Sequence, residues 1–220
     1  MYQDIRSQIN FRDPRVEVMP TIREKTQNII EDWIAPQSRV LDLGCGDGTL
    51  LSRLTQRKQV DGIGVEISRD MIVKCLGKGI SVYQADIDHG LSQWDELSFD
   101  YVILTATLQV IHRPYHVINE MLRVGRCAVI SVSNFGYAAN RLGIMLKGRM
   151  TDEMRLTGDW HDTPVIRFVC LCEFIRSLSE MGVDILDARF FLPFDLAVRT
   201  KIPLDNLIVK EAIFMLGHNR

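Results

Sequence analysis

A short apolar segment that runs into a glycine-rich loop constrains the fold of this chain more than any other feature. Residues 40–43 (Val-Leu-Asp-Leu) are followed by residues 44–48 (Gly-Cys-Gly-Asp-Gly) and then by apolar residues at helical spacing. Glycine permits a sharp turn from a strand into a helix, and it leaves room for a ligand near the free N–H groups of that helix. The stretch therefore predicts a strand, a ligand-binding loop and a helix.

Two carboxylates follow at distances typical of a nucleoside-binding βαβ unit. Glu66 ends a second apolar segment 18 residues after Gly48, where such units place an acid that accepts hydrogen bonds from ribose hydroxyls. Asp86 follows a third apolar segment at 80–84, where its carboxylate can accept a hydrogen bond from an adenine amino group. A glycine turn without a ligand would explain the glycines, but it would not explain the spaced acids.

Two nucleoside cofactors fit this pattern, and S-adenosylmethionine (or S-adenosylhomocysteine) fits better than NAD. The dinucleotide fingerprint requires its third glycine at position 49, where this chain has threonine. Asp42 is a poor neighbour for a pyrophosphate, whereas it would pair with the cationic amino group of S-adenosylmethionine. The predicted cofactor-binding residues are Asp42, Gly44, Gly46, Gly48, Glu66, Asp86 and Thr105.

Strand and helix patterns alternate along the first part of the chain. The alternation predicts an α/β, Rossmann-like fold with a mostly parallel seven-stranded sheet and helices on both faces. In such sheets, ligands bind beyond the carboxyl ends of the strands, where the strand order switches. The predicted strands are 39–43, 62–66, 80–84, 99–104, 127–132, 183–191 and 207–216, and the predicted later helices are 138–147 and 171–181.

The pattern predicts one domain, residues 21–216, preceded by an extension. Residues 1–20 are polar and charged, which predicts little ordered structure there. Residues 133–165 interrupt the alternation and are interpreted as an insertion. Long insertions of this kind often form a lid over a site or contact a partner. Within this insertion, His161 is the best-placed candidate for a catalytic base, although a polar lid or partner-contact loop is the favoured interpretation.

Composition argues against several classes of protein. The net charge of −2 gives no basic excess for nucleic acid or an anionic membrane. The chain has neither a signal-peptide pattern at its start nor a run of about 18 apolar residues. Its five cysteines show no paired framework and no second pair at metal-ligand spacing. We therefore expect a cytoplasmic protein without a metal site.

With these patterns assembled, the chain resembles the MetW family of methionine biosynthesis proteins, which have the class I S-adenosylmethionine-dependent methyltransferase fold. The resemblance covers roughly residues 28–190, and the segments between 120 and 164 distinguish this family from the wider superfamily. The chain departs from the family pattern at Ser133, where a proline is usual, and at Val165 and Arg167, where asparagine and histidine are usual. The matching segments are 38–51, 64–67, 99–104, 120–126, 133–136 and 148–150.

The resemblance implies an accessory subunit that supports a homoserine O-acyltransferase of the α/β-hydrolase type. The nucleophile elbow of such enzymes, Gly-x-Ser-x-Gly, does not occur in this chain, so acyl transfer would be the partner's chemistry. An S-adenosylmethionine-dependent methyltransferase acting on an unidentified small molecule or protein is the alternative, because methyl transfer needs little beyond positioning. A third hypothesis is that the cofactor site reports the level of S-adenosylmethionine, a downstream product of methionine, to the acyltransferase. The residues alone leave open whether the chain is an enzyme.

Overall fold

The computed structural model of the protein describes residues 21–148, 161, 165–192, 197–198 and 205–218. The predicted N-terminal extension and parts of the predicted insertion lie outside these residues. The helices and strands are, in chain order, α1 (Ile22–Trp33), β1 (Arg39–Leu43), α2 (Thr49–Lys58), β2 (Asp61–Glu66), α3 (Arg69–Gly77), β3 (Ser81–Gln84), β4 (Phe99–Leu104), α4 (Pro114–Val124), β5 (Gly125–Ser133), α5 (Ala138–Lys147), α6 (Leu171–Glu180), β6 (Val183–Phe191), β7 (Ala197–Val198), α7 (Asp205–Ile208) and β8 (Glu211–His218).

These strands form one sheet in the order β3-β2-β1-β4-β5-β8-β6-β7. The pairs β1–β2, β1–β4, β2–β3 and β4–β5 are parallel. Strand β8 is antiparallel to both of its neighbours, β5 and β6. Strand β7 contributes only two residues. The predicted mostly parallel, seven-stranded sheet is therefore confirmed, with β7 as a short addition.

The sheet has an apolar core on each face. One core includes buried residues of α4 and α6, and the other includes buried residues of α1 and α2. Helix α1 begins with a capping box, in which the Glu24 N–H donates to Thr21 Oγ1 and the Thr21 N–H donates to Glu24 Oε2 at 2.7 Å. Helices thus cover both faces, as the alternating pattern predicts.

The strand order switches between β1 and β4. From β1 the chain builds outward through β2 to β3, and then it crosses back to β4 on the other side of β1. The carboxyl ends of these parallel strands therefore open a crevice at β1 and β4. The glycine loop, Glu66 and Asp86 all follow strands at this end of the sheet.

The predicted bounds of the last strand, 207–216, were wrong. Residues 205–208 form the short helix α7, and β8 begins at Glu211. The apolar residues 207–209 have no periodicity that separates a strand from a helical turn. The Asn134 amide stabilises the turn, because its Nδ2 donates to the carbonyl oxygens of Asn206 and Val209 at 3.0 and 2.8 Å.

Within the part of the chain that the structure describes, no helix is long and apolar enough to cross a membrane.

Candidate functional site

The glycine loop follows β1 and turns sharply into α2. Gly44, Gly46 and Gly48 have φ angles of +69°, +57° and +73°, a region that glycine adopts without strain. A Cβ atom at Gly44 would lie 2.8 Å from the Thr107 hydroxyl oxygen, whereas a Cβ atom at Gly46 would meet nothing within 4 Å. Gly44 is therefore required by close packing against the loop after β4, while Gly46 faces open space that a ligand can fill.

Glu66, at the end of β2, forms a hydrogen bond to the glycine loop. Its Oε2 atom accepts a hydrogen bond from the Gly46 N–H at 2.9 Å. Its Oε1 atom accepts from the backbone N–H groups of Ile67 and Ser68, each at 2.9 Å. A carboxylate accepts about four hydrogen bonds, so Glu66 retains capacity for one ribose hydroxyl while it holds the loop in place.

Asp42 is a buried acid in β1, two residues before Gly44. The residue is only 2% exposed, and its Oδ1 atom has no hydrogen-bond partner among the described residues. Burial, together with the negative charge of Glu66, raises the pKa of Asp42 from 3.8 to about 7. An unpaired buried carboxylate is costly, and a cationic group would relieve that cost. This arrangement fits the amino group of S-adenosylmethionine.

A cavity of about 330 Å³ lies at the carboxyl ends of β1, β2, β3 and β4. Three of the predicted cofactor-binding residues line it: Gly44, Glu66 and Asp86. The other four do not line it: Asp42, Gly46, Gly48 and Thr105. The remaining lining residues were not among the predicted cofactor-binding residues: Val65, Ile67, Ala85, Ile87, Asp88, Thr107, Val110, Ile111 and His112. The last four of these residues belong to the loop after β4. Because this loop lies at the switch in strand order, its position could have indicated that they line the cavity.

In the loop after β4, Thr107 lines the cavity and the predicted Thr105 does not. The Thr107 hydroxyl donates to the Thr105 carbonyl oxygen at 2.8 Å, and its side chain lies against Gly44. Ala106, between them, has a φ angle of +53°, which is unusual for a residue other than glycine. Such backbone strain is typical of functional loops.

Two acids connect the part of the cavity after β3 to the loop after β4. Asp86 accepts a hydrogen bond from the Asp88 N–H at 2.9 Å and so caps the 3₁₀ turn Ile87–His89. Asp88 in turn accepts from the backbone N–H groups of His112 and Arg113, at 3.0 and 2.8 Å. Burial opposes ionisation of Asp88, but these hydrogen bonds outweigh it and lower its pKa. The cavity wall is thus built by carboxylates that bind backbone groups.

His161, the predicted candidate base, is exposed and does not line the cavity. Its neighbours at 160 and 162 lie outside the described residues, so a catalytic role for it stays a prediction. Across the described ranges, no group of three or more His, Cys, Asp or Glu side chains is arranged to hold a metal ion.

Comparison with known protein families finds a match over most of the chain. The model of the family described as methionine biosynthesis protein MetW matches residues 23–216. A curated relative, the bifunctional methionine biosynthesis protein MetXA/MetW of Rhodopirellula baltica, is 36% identical over 191 residues and covers 83% of this chain. The chain spans about 30% of the length of that relative.

Solved structures share the fold at low sequence identity. An S-adenosylmethionine-dependent methyltransferase from Thermotoga maritima has a TM-score of 0.63 at 15% identity, over 89% of this chain and 88% of that chain. Another from Archaeoglobus fulgidus has a TM-score of 0.62 at 16% identity, over 88% of this chain and 93% of that chain. The chain therefore has the class I S-adenosylmethionine-dependent methyltransferase fold, and it belongs to the MetW family of methionine biosynthesis proteins.

Proposed function

We propose that this protein is an accessory subunit that supports a homoserine O-acyltransferase of the α/β-hydrolase type. The relative in which MetXA and MetW are joined in one chain carries the proposal. Linkage in one chain gives two proteins a high effective concentration, which benefits partners that act together. Because this chain has no Gly-x-Ser-x-Gly elbow, the acyl-transfer chemistry comes from the partner.

The same proposal includes a site for S-adenosylmethionine or S-adenosylhomocysteine. Asp42 would hold the cationic amino group, Glu66 a ribose hydroxyl and Asp86 the adenine amino group. The unpaired Oδ1 atom of buried Asp42 and the open space at Gly46 support this assignment. When bound, S-adenosylmethionine supplies an activated methyl group. The residues of this chain bind and orient the cofactor.

The predicted insertion 133–165 contributes the surface for the partner in this proposal. Its helix α5 exposes large apolar side chains, of which Met145 is 70% and Leu146 is 73% exposed. Leu142 and Ile144 on the same helix are also exposed. Neighbouring exposed apolar side chains mark protein-interaction sites more often than singly scattered ones do.

The test measures the initial acylation rate of the homoserine O-acyltransferase from the same organism, with and without this protein in molar excess. A rate increase that saturates at a fixed ratio is the expected result. An unchanged rate without co-elution of the two proteins would exclude the accessory role. The double variant Met145→Glu/Leu146→Glu should weaken the complex, because charged side chains would have to be desolvated at the interface. Val73→Glu is the matched control, since Val73 is a 68% exposed apolar residue on α3.

Addition of S-adenosylmethionine to the same assay tests the regulatory role. A ligand changes the activity of a complex only when the ligand binds the more active and the less active state of that complex with different affinities. If S-adenosylmethionine binds this chain but changes neither the acylation rate nor complex formation, the site has no regulatory role.

Methyl transfer is a second candidate function, and the S-adenosylmethionine-dependent methyltransferases that share the fold favour it. The transfer would use this chain's residues for positioning, and a base is needed only if the acceptor loses a proton. Transfer of a labelled methyl group to a component of a cell extract is the assay. The transfer should disappear in the Glu66→Ala variant. Labelling that survives this substitution would come from another protein.

A further inference from the structure

A second cavity, of about 750 Å³, lies between the first half of α4 and α6. Leu108, Ile118 and Phe174 form apolar parts of its wall, and Arg113, His116 and Arg167 add basic groups. Sites for small molecules have similar volumes, and they combine a mostly apolar wall with a few polar groups that orient the ligand. No function assigned above uses this cavity.

The two arginine side chains of the second cavity form no ion pair with an acid of the described residues. The backbone N–H of Arg113 is bound by Asp88, but among the described residues the Arg113 guanidinium makes no ion pair. The Arg167 guanidinium donates to the carbonyl oxygens of Ile111 and His112, which hold it in place without cancelling its charge. Glu173 is the acidic residue in the lining. The cavity therefore favours an anion over a neutral or cationic ligand.

We propose that this second cavity binds a small organic anion with an apolar body, such as an aliphatic or aromatic carboxylate. The apolar body would pack against Leu108 and Phe174, where its transfer from water is favourable. The anionic group would accept hydrogen bonds from the Arg113 and Arg167 guanidinium groups, which suit planar carboxylates. The site is separate from the cofactor cavity, although His112 lines both.

The test uses two fluorescent probes that differ in one charged group. 8-Anilinonaphthalene-1-sulfonate is an apolar anion, and N-phenyl-1-naphthylamine is the same ring system without the sulfonate. Arg113→Gln should weaken binding of the anionic probe about fivefold, the effect of one partly exposed charge contact, and leave the neutral probe unchanged. Arg126→Gln is the matched control, because Arg126 lies near Asp100 at the opposite end of the sheet.

Two further variants locate the probes. Ser177→Trp adds a large side chain inside the second cavity and should weaken binding of both probes. Val110→Trp fills the first cavity instead and should leave both affinities unchanged. Equal weakening of both probes by Arg113→Gln would exclude a role for the charge. Loss of binding in Val110→Trp, or unchanged binding in both Ser177→Trp and Arg113→Gln, would overturn the proposal even if the accessory role holds.

Discussion

Replacing Asp42 by asparagine should remove a pH-dependent loss of stability. Burial and the charge of Glu66 raise the pKa of Asp42 to about 7 in the folded protein, whereas the unfolded chain leaves this carboxyl at its ordinary value. Between about pH 4 and pH 7 the folded protein therefore binds a proton that the unfolded chain has lost. The free energy of unfolding then falls as the pH rises through this window. Asparagine has no such titration.

The size of the effect follows from the difference in pKa. A rise from 3.8 to about 7 corresponds to about 4 kcal/mol of destabilisation above pH 7, because one pKa unit is about 1.36 kcal/mol. About 2–3 kcal/mol of this loss falls between pH 5 and pH 8. That is a large fraction of the roughly 5–15 kcal/mol that stabilises a typical domain.

Urea denaturation of both proteins at pH 5 and pH 8, without ligand, measures the effect. The variant should gain about 2–3 kcal/mol over the wild type between the two pH values, since every other titrating group is shared. Asp47→Asn is the control of opposite sign. The Lys78 ammonium, 2.7 Å away, lowers the pKa of Asp47 to about 2, so this variant should lose stability at neutral pH, by less than about 1 kcal/mol. If the wild type and Asp42→Asn show parallel pH dependence, Asp42 is not destabilised by burial and the reasoning fails.

Three substitutions at other positions give further predictions. Gly44→Ala should lower the free energy of unfolding by about 2–3 kcal/mol, because its Cβ would meet Thr107 at 2.8 Å in addition to the strain of a positive φ. Gly46→Ala should lower the free energy of unfolding by only about 1 kcal/mol. If urea denaturation shows the same loss of stability for Gly44→Ala and Gly46→Ala, the packing argument is contradicted. Glu120→Gln should cost about 1–2 kcal/mol at pH 7, because the Arg123 guanidinium lowers the pKa of Glu120 to about 2. That stabilisation is present above the ordinary value of 4.5 and lost as the pH falls towards 2, so a cost that is equal at pH 7 and pH 2.5 would count against the ion pair.

Much of the fold was predictable because its signals are local. Buried parallel strands are continuous apolar runs, and residues that interrupt regular structure separate them from the helices. Pro114 begins α4 and Gly125 follows its last turn, as their conformational preferences suggest. The prediction failed where local signals are ambiguous. At residues 207–209, tertiary hydrogen bonds from Asn134 stabilise a turn that the apolar run does not indicate.

The candidate site was predictable only in part. Gly44, Glu66 and Asp86 follow from the geometry of a βαβ unit, which fixes the spacing between a glycine loop and the acids at the ends of the next strands. The loop after β4 has no comparable fixed spacing, so the position of Thr107 against Gly44 depends on packing that the sequence does not show. The second cavity depends on tertiary structure alone, because it brings Arg113 near Arg167, 54 residues further along the chain.

The two cavities share one wall, which is held by hydrogen bonds to Asp88. Asp86 fixes the position of Asp88, and Asp88 fixes the backbone of His112 and Arg113. His112 lines both cavities, while Arg113 lines the second. Asp86 and Asp88 therefore connect the first cavity to the backbone of a residue that lines the second. If Asp88 moves, either these hydrogen bonds break or the backbone of His112 and Arg113 moves with it. Because coupling between binding sites is reciprocal, any coupling between a ligand at Asp86 and an anion in the second cavity would have the same size in both directions.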